Sequence, residues 1–165
     1  MTGRTTENQR IVGIGDVLTS TDPDERLVTY SLGSCIALAL HDPTVGAAGL
    51  IHAMLPTSSI DPARAASEPG RFTDTAVTEV LARMFELGAR RSTLTAKVIG
   101  AATQVDQHGL FRIGERNLAV LRRVLWKNDI LIAAQDTGGA VSRTVVLETG
   151  TGRTLVKSNG ATREL

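Results

Sequence analysis

A single cysteine, Cys35, stands among the 165 residues, which excludes an intramolecular disulfide and fits a reducing compartment. Aromatic residues are equally scarce, at 3% of the chain, leaving little from which to build a base-stacking platform for nucleic acid. Neither sign of charge dominates: 18 Lys and Arg face 17 Asp and Glu, so no global field draws the chain to nucleic acid or to an anionic membrane. Long apolar runs are missing too. Stretches such as 36–40 and 47–51 are far shorter than the roughly 20 residues that cross a bilayer. The polar start Met1-Thr-Gly-Arg-Thr-Thr-Glu-Asn-Gln lacks the apolar segment of a signal peptide, so a soluble, cytoplasmic protein is expected. His41, His52 and His108 show no i, i+4 spacing, and no metal or cofactor is expected. The glycine pairs Gly138-Gly139 and Gly150-x-Gly152 do not lead from a strand into a helix, so they read as turns and not as phosphate cradles.

What is present is the material of one layered domain, 1–165. Short Val/Ile/Leu-rich runs separated by Gly, Asp and Pro predict strands over 11–17, 27–31, 36–41 and 49–55. The connection Asp42-Pro43-Thr44-Val45-Gly46 folds the last two into a hairpin. Residues 57–70 have neither helical nor strand period and read as a mobile loop, close enough in sequence to lie over His52. A helix capped by Thr73 follows, with Val77, Val80, Leu81, Met84 and Phe85 as its apolar stripe and Gly88 at its end.

Strand character returns over 94–99 and breaks at Gly100. A second helix begins near Gly114, presents Leu118, Leu121, Val124 and Leu125 on one face, and stops at Asn128-Asp129. Strands over 130–134, 141–148 and 153–157 complete the chain, the last two joined by Thr149-Gly150-Thr151-Gly152. Seven or eight strands with two main helices predict an α/β domain whose helices cover a sheet. Four leading strands without a helix between them argue against alternating βαβ winding. Residues 1–9 and 158–165 read as loose tails.

Three polar side chains stand out in this apolar frame. Cys35 follows Gly33-Ser34, where a sharp turn exposes backbone N–H groups able to hold an oxyanion and to lower the thiol pKa. Taken alone, a free cysteine is most simply a small buried hydrophobe. His52 lies in Gly49-Leu-Ile-His-Ala-Met-Leu-Pro56, where strand alternation gives it the face of Leu50 and Met54 rather than that of Ile51 and Leu55. Its own plain reading is a core histidine bonded to backbone. The predicted hairpin, however, brings the start of one strand, with Cys35, near the end of the other, with His52. Thr29 could then accept the imidazole N–H and fix the tautomer whose second nitrogen takes the thiol proton.

The combination Leu32-Gly33-Ser34-Cys35, the Asp42-Pro43 turn and His52-Ala-Met-Leu-Pro56 resembles the chemoreceptor glutamine deamidase family, CheD, and the likeness runs from about residue 10 to 157. Further matches are Ile113-Gly114-Glu-Arg116-Asn117, Asp136-Thr-Gly-Gly139 and Arg143 through Glu148-Thr149-Gly150 to Lys157. The resemblance implies a layered α/β/β sandwich and a Cys-His-Thr triad of Cys35, His52 and Thr29, with Gly33 and Ser34 supporting an oxyanion. It implies hydrolysis of receptor glutamine side chains to glutamate in chemotaxis adaptation, with methyl-accepting receptors as partners. One departure is Gly100-Ala101-Ala102, where the family carries Gly-Gly-Ala. The rival reading is a non-catalytic module docking on a CheC-type phosphatase. Thiol protease or transglutaminase chemistry would use the same residue types, and only the resemblance prefers deamidation.

Overall fold

The computed structural model describes residues 8–103 and 112–165. His108 and the first seven residues of the expected N-terminal tail lie outside them. Among the described residues, ten strands form two five-stranded sheets. One sheet has the order β1-β3-β8-β9-β10, from Gln9–Ile11, Arg26–Leu32, Arg143–Glu148, Thr154–Ser158 and Ala161–Glu164. The other runs β2-β5-β4-β6-β7, from Val17–Ser20, Ala47–Ala53, Ile36–Asp42, Thr95–Gly100 and Ile132–Thr137. Of the three helices, α1 (Pro62–Ser67) is short, while α2 (Thr73–Glu86) and α3 (Ile113–Lys127) are long and amphipathic.

Alternation along β4 explains the layering. Ile36, Leu38 and Leu40 join Val77, Val80, Met84, Leu121 and other residues under the helices, whereas Ala37 and Ala39 join Leu27, Val145 and Val156 between the sheets. The central sheet is therefore buried on both faces, and the order helices, sheet, sheet is the expected α/β/β sandwich. The predicted hairpin is β4 and β5, antiparallel in the register Ile36↔Ala53 to Asp42↔Ala47. Its turn is locked by Asp42, whose carboxylate accepts from Thr44 and from Arg90 and Thr93. Burial opposes the charge on Asp42, but these bonds outweigh it and hold the carboxyl well below the usual carboxylate range.

Four expectations need correction. The strand expected at 11–17 is broken: β1 belongs to one sheet and β2 to the other, and Gly13-Ile14-Gly15-Asp16 crosses between them. Gly15 takes a φ of +85°, and the Asp16 carboxylate accepts the Gly13 N–H at 2.8 Å. Residues 57–70 are not an irregular loop, because their prolines start helical turns instead of breaking them. Ser58–Ile60 and Pro69–Arg71 are 3-10 turns, and α1 opens on Asp61-Pro62, with the Asp61 side chain accepting from the Arg64 N–H. Phe72, not Thr73, caps α2, and the Thr73 hydroxyl reaches the Leu55 carbonyl instead. The tails are ordered where described: β1 starts at Gln9, and β10 pairs with β9 through Asn159-Gly160, both at positive φ. Among the described residues no helix is long and apolar enough to cross a membrane.

Candidate active site

The sandwich brings Thr29 and His52 together from opposite sheets. Leu50 of β5 and Leu27 of β3 both pack between the sheets, and two residues further along each strand stand His52 and Thr29 on the same inner faces. Their side chains meet at 2.7 Å, Thr29 Oγ1 to His52 Nδ1, with both residues buried. Cys35 immediately precedes β4 and shares the face of Ala37, the residue paired with His52. It is thus the diagonal cross-strand neighbour of the imidazole, half-buried at the edge of the inter-sheet core. Register thus directs Cys35 and His52 to the same end of the hairpin, where Thr29 of β3 meets the imidazole.

Proton counting fixes the tautomer. Thr29 Oγ1 also lies 2.6 Å from the Val12 carbonyl, which can only accept, so the single hydroxyl proton goes there. The hydroxyl must then accept from His52 Nδ1–H, which leaves Nε2 as the lone-pair nitrogen of a neutral ring. Nε2 is buried, and among the described residues it has no hydrogen-bond partner. Such an atom in a folded interior calls for a functional explanation. The turn 13–16 holds the residue from behind: Gly15 N–H donates to the His52 carbonyl at 2.8 Å, and His52 N–H to the Asp16 carbonyl at 3.4 Å.

Burial keeps both the Cys35 thiol and the His52 ring uncharged. Burial lowers the His52 pKa to about 4, against a small opposing pull from Asp16. Burial also pushes the Cys35 thiol up, although its own backbone N–H and the Arg71 charge favour the thiolate. The sequence reading, in which exposed amides depress the thiol pKa, is corrected on this point: desolvation wins.

Residues 33–35 are pinned through three successive carbonyls. Gly33 O accepts from Ala102 N–H at 2.9 Å, Ser34 O from Asn117 Nδ2 at 2.9 Å, and Cys35 O from Ala101 N–H at 2.8 Å. Among the described residues, no carbonyl accepts the N–H groups of Ser34 and Cys35, the latter facing only its own sulfur. Gly100 is required here, since its φ is +105° and a Cβ would sit 2.5 Å from the Cys35 carbonyl. Ala101, where the family carries glycine, also takes a left-handed φ of +51°, at a cost on the order of 1 kcal/mol. Asn117 is the contributor that sequence reasoning matched without giving it a role. Its signal was a polar residue on the inward side of α3, one turn before the apolar Leu121. Among the described residues no cluster of three or more His, Cys, Asp or Glu could hold a metal ion.

Comparison with known proteins identifies the family. Residues 54–158 match the family model described as CheD chemotactic sensory transduction. The chain is 45% identical over 150 residues to a probable chemoreceptor glutamine deamidase CheD 1 of Syntrophus aciditrophicus, covering 91% of this chain and 94% of that one. It is 43% identical to a probable chemoreceptor glutamine deamidase CheD of Solibacter usitatus, over 95% of this chain and 93% of that one. A chemoreceptor glutamine deamidase CheD of Thermotoga maritima is 32% identical, over 95% and 96% of the two chains. The family model starts two residues after His52, but the full-length relatives extend the likeness across most of the chain. On this evidence the chain belongs to the CheD family.

Proposed function

We propose that this chain is a chemoreceptor glutamine deamidase working through a thioester on Cys35, with His52 as base and Thr29 as the group that orients it. The observation carrying the reading is the buried His52 ring, fixed by Thr29 at Nδ1, with Nε2 unpartnered on the face it shares with Cys35. The names of the relatives supply the substrate class: glutamine side chains of chemotaxis receptors.

In the first half-reaction Cys35 Sγ attacks the carboxamide carbon while its proton passes to His52 Nε2. The oxyanion forms within reach of the Ser34 and Cys35 N–H groups, so the donors need no rearrangement as charge develops. The imidazolium then protonates the departing nitrogen, the C–N bond breaks, and ammonia leaves a thioester. Water enters, gives a proton back to Nε2 and attacks the acyl carbon; glutamate departs and the thiol is restored. A neutral amide becomes a carboxylate, which changes the charge on the receptor surface.

Mass spectrometry of a receptor cytoplasmic fragment tests the reading. The expected result is the mass gain of amide-to-acid conversion at particular glutamines, reduced at least about a thousandfold by Cys35→Ala. A receptor fragment left unchanged by the wild-type chain would refute the reading.

A further inference from the structure

Ser34 and Cys35 share one planar, trans peptide unit, so whatever holds the Ser34 carbonyl also aims the Cys35 N–H in the opposite direction. Among the described residues that holder is Asn117, whose Nδ2 donates to Ser34 O at 2.9 Å and to Met54 O at 3.2 Å. Met54 lies two residues beyond His52, so one amide ties the loop of the nucleophile to the strand of the base. The flanking carbonyls, Gly33 O and Cys35 O, are held by backbone N–H groups of residues 102 and 101. Ser34 O is the one of the three that depends on a side chain. Asn117 is itself fully buried, with Thr73 Oγ1 at 3.3 Å from its Oδ1, and Gly114 seats the same end of α3 against the Ala101 and Ala102 carbonyls.

We infer that Asn117 is a positioning residue for the oxyanion donor: by fixing the Ser34 carbonyl it orients the Cys35 N–H toward the acyl oxygen. The inference rests on the reading of Cys35 as an acyl-forming nucleophile. It also explains why a buried, hydrogen-bonding residue is placed on the core-facing side of an amphipathic helix. Asn117 touches no reacting atom, and its effect runs through the peptide plane.

Two reactions of Cys35 separate this role from mere support. Acylation by p-nitrophenyl acetate forms an Sγ–C bond, breaks the ester C–O bond, releases p-nitrophenolate and passes the thiol proton to His52, through an oxyanion. Alkylation by iodoacetamide displaces iodide at a saturated carbon and forms no oxyanion. In Asn117→Ala, the ratio of acylation to alkylation rate in the full chain should fall at least about tenfold, with alkylation itself changed less than about twofold. Asn117→Asp, which keeps the volume but loses the donor amide, is measured in parallel and should behave alike if the alanine variant does not fold. An unchanged ratio in a folded variant, or parallel loss of both rates, would overturn the inference. Wild-type protein that acylates normally but leaves receptor glutamine untouched would instead refute the deamidase reading and leave this one standing.

Discussion

His41 and His52 occupy opposite ends of the same hairpin, both buried and both with pKa values lowered first of all by burial. At the turn end, His41 Nε2 donates to the Thr149 carbonyl at 3.0 Å, beside the fully bonded Asp42 carboxylate. At the open end, His52 is bonded through Nδ1 alone. The two rings share a residue type, a depth and the same antiparallel strand pair. They differ in what holds the ring and in what is left over: His41 is held by a backbone carbonyl, whereas His52 is held by a hydroxyl and keeps a fully buried, unpartnered Nε2, the feature on which its proposed role as base rests.

The sharpest way to break the comparison is to remove each ring in turn. His52→Ala should lower deamidation by about 10²- to 10⁴-fold, while its melting temperature stays near that of the wild type, because an unpartnered buried nitrogen goes with the ring. His41→Ala should do the reverse, keeping activity per folded molecule but losing about 2 kcal/mol in denaturant unfolding through a cavity and an orphaned carbonyl. An inactive but stable His41 variant would erase the distinction. Next in size, Thr29→Val should cost about ten- to a hundredfold in kcat by freeing the tautomer, whereas Thr29→Ser should retain most of the rate. A rate retained in Thr29→Val but lost in Thr29→Ser would show that the methyl group, not the hydroxyl, matters.

Acid separates the two ends more gently. A base whose folded pKa lies below its unfolded value binds more protons when unfolded, so its contribution is complete above about pH 6.5 and is lost as pH falls toward about 4. For His52 the loss amounts to roughly 3 kcal/mol. Urea unfolding across that window should therefore show stability rising with pH, and His52→Leu should flatten much of the slope. The acid limb of kcat/KM should lie near pH 4; a limb near 6.5 would mean that the imidazole is solvated and unlike its buried description.

Much of this was legible in sequence because it depends on alternation. The period of two along residues 36–42 and 47–53 places Ala37 and His52 inward together, and Pro43 and Gly46 mark the hairpin turn. The break at Gly13-Ile14-Gly15-Asp16 was hidden because its flanks are apolar enough to read as one strand, and only the two glycines signalled a crossing between sheets. Strand β10 escaped because its four residues are all exposed and carry no pattern, although Asn159-Gly160 announces a two-residue hairpin. The helical turns after Pro56 are too short to show a period, and Pro62 there is the first helical residue behind the Asp61 cap. Asn117 depends on peptide-plane orientation across 83 positions of sequence, which no local period encodes.

The pinned carbonyls of Gly33, Ser34 and Cys35 have a consequence for amide hydrogen exchange. From Ile36 onward β4 is flanked on both sides by paired strands, whereas the preceding Ser34 and Cys35 amides have no carbonyl acceptor among the described residues. A boundary between slow and fast exchange should therefore fall at the nucleophile itself, and slowing of those two amides on acylation would register an occupied oxyanion site without any measurement of product.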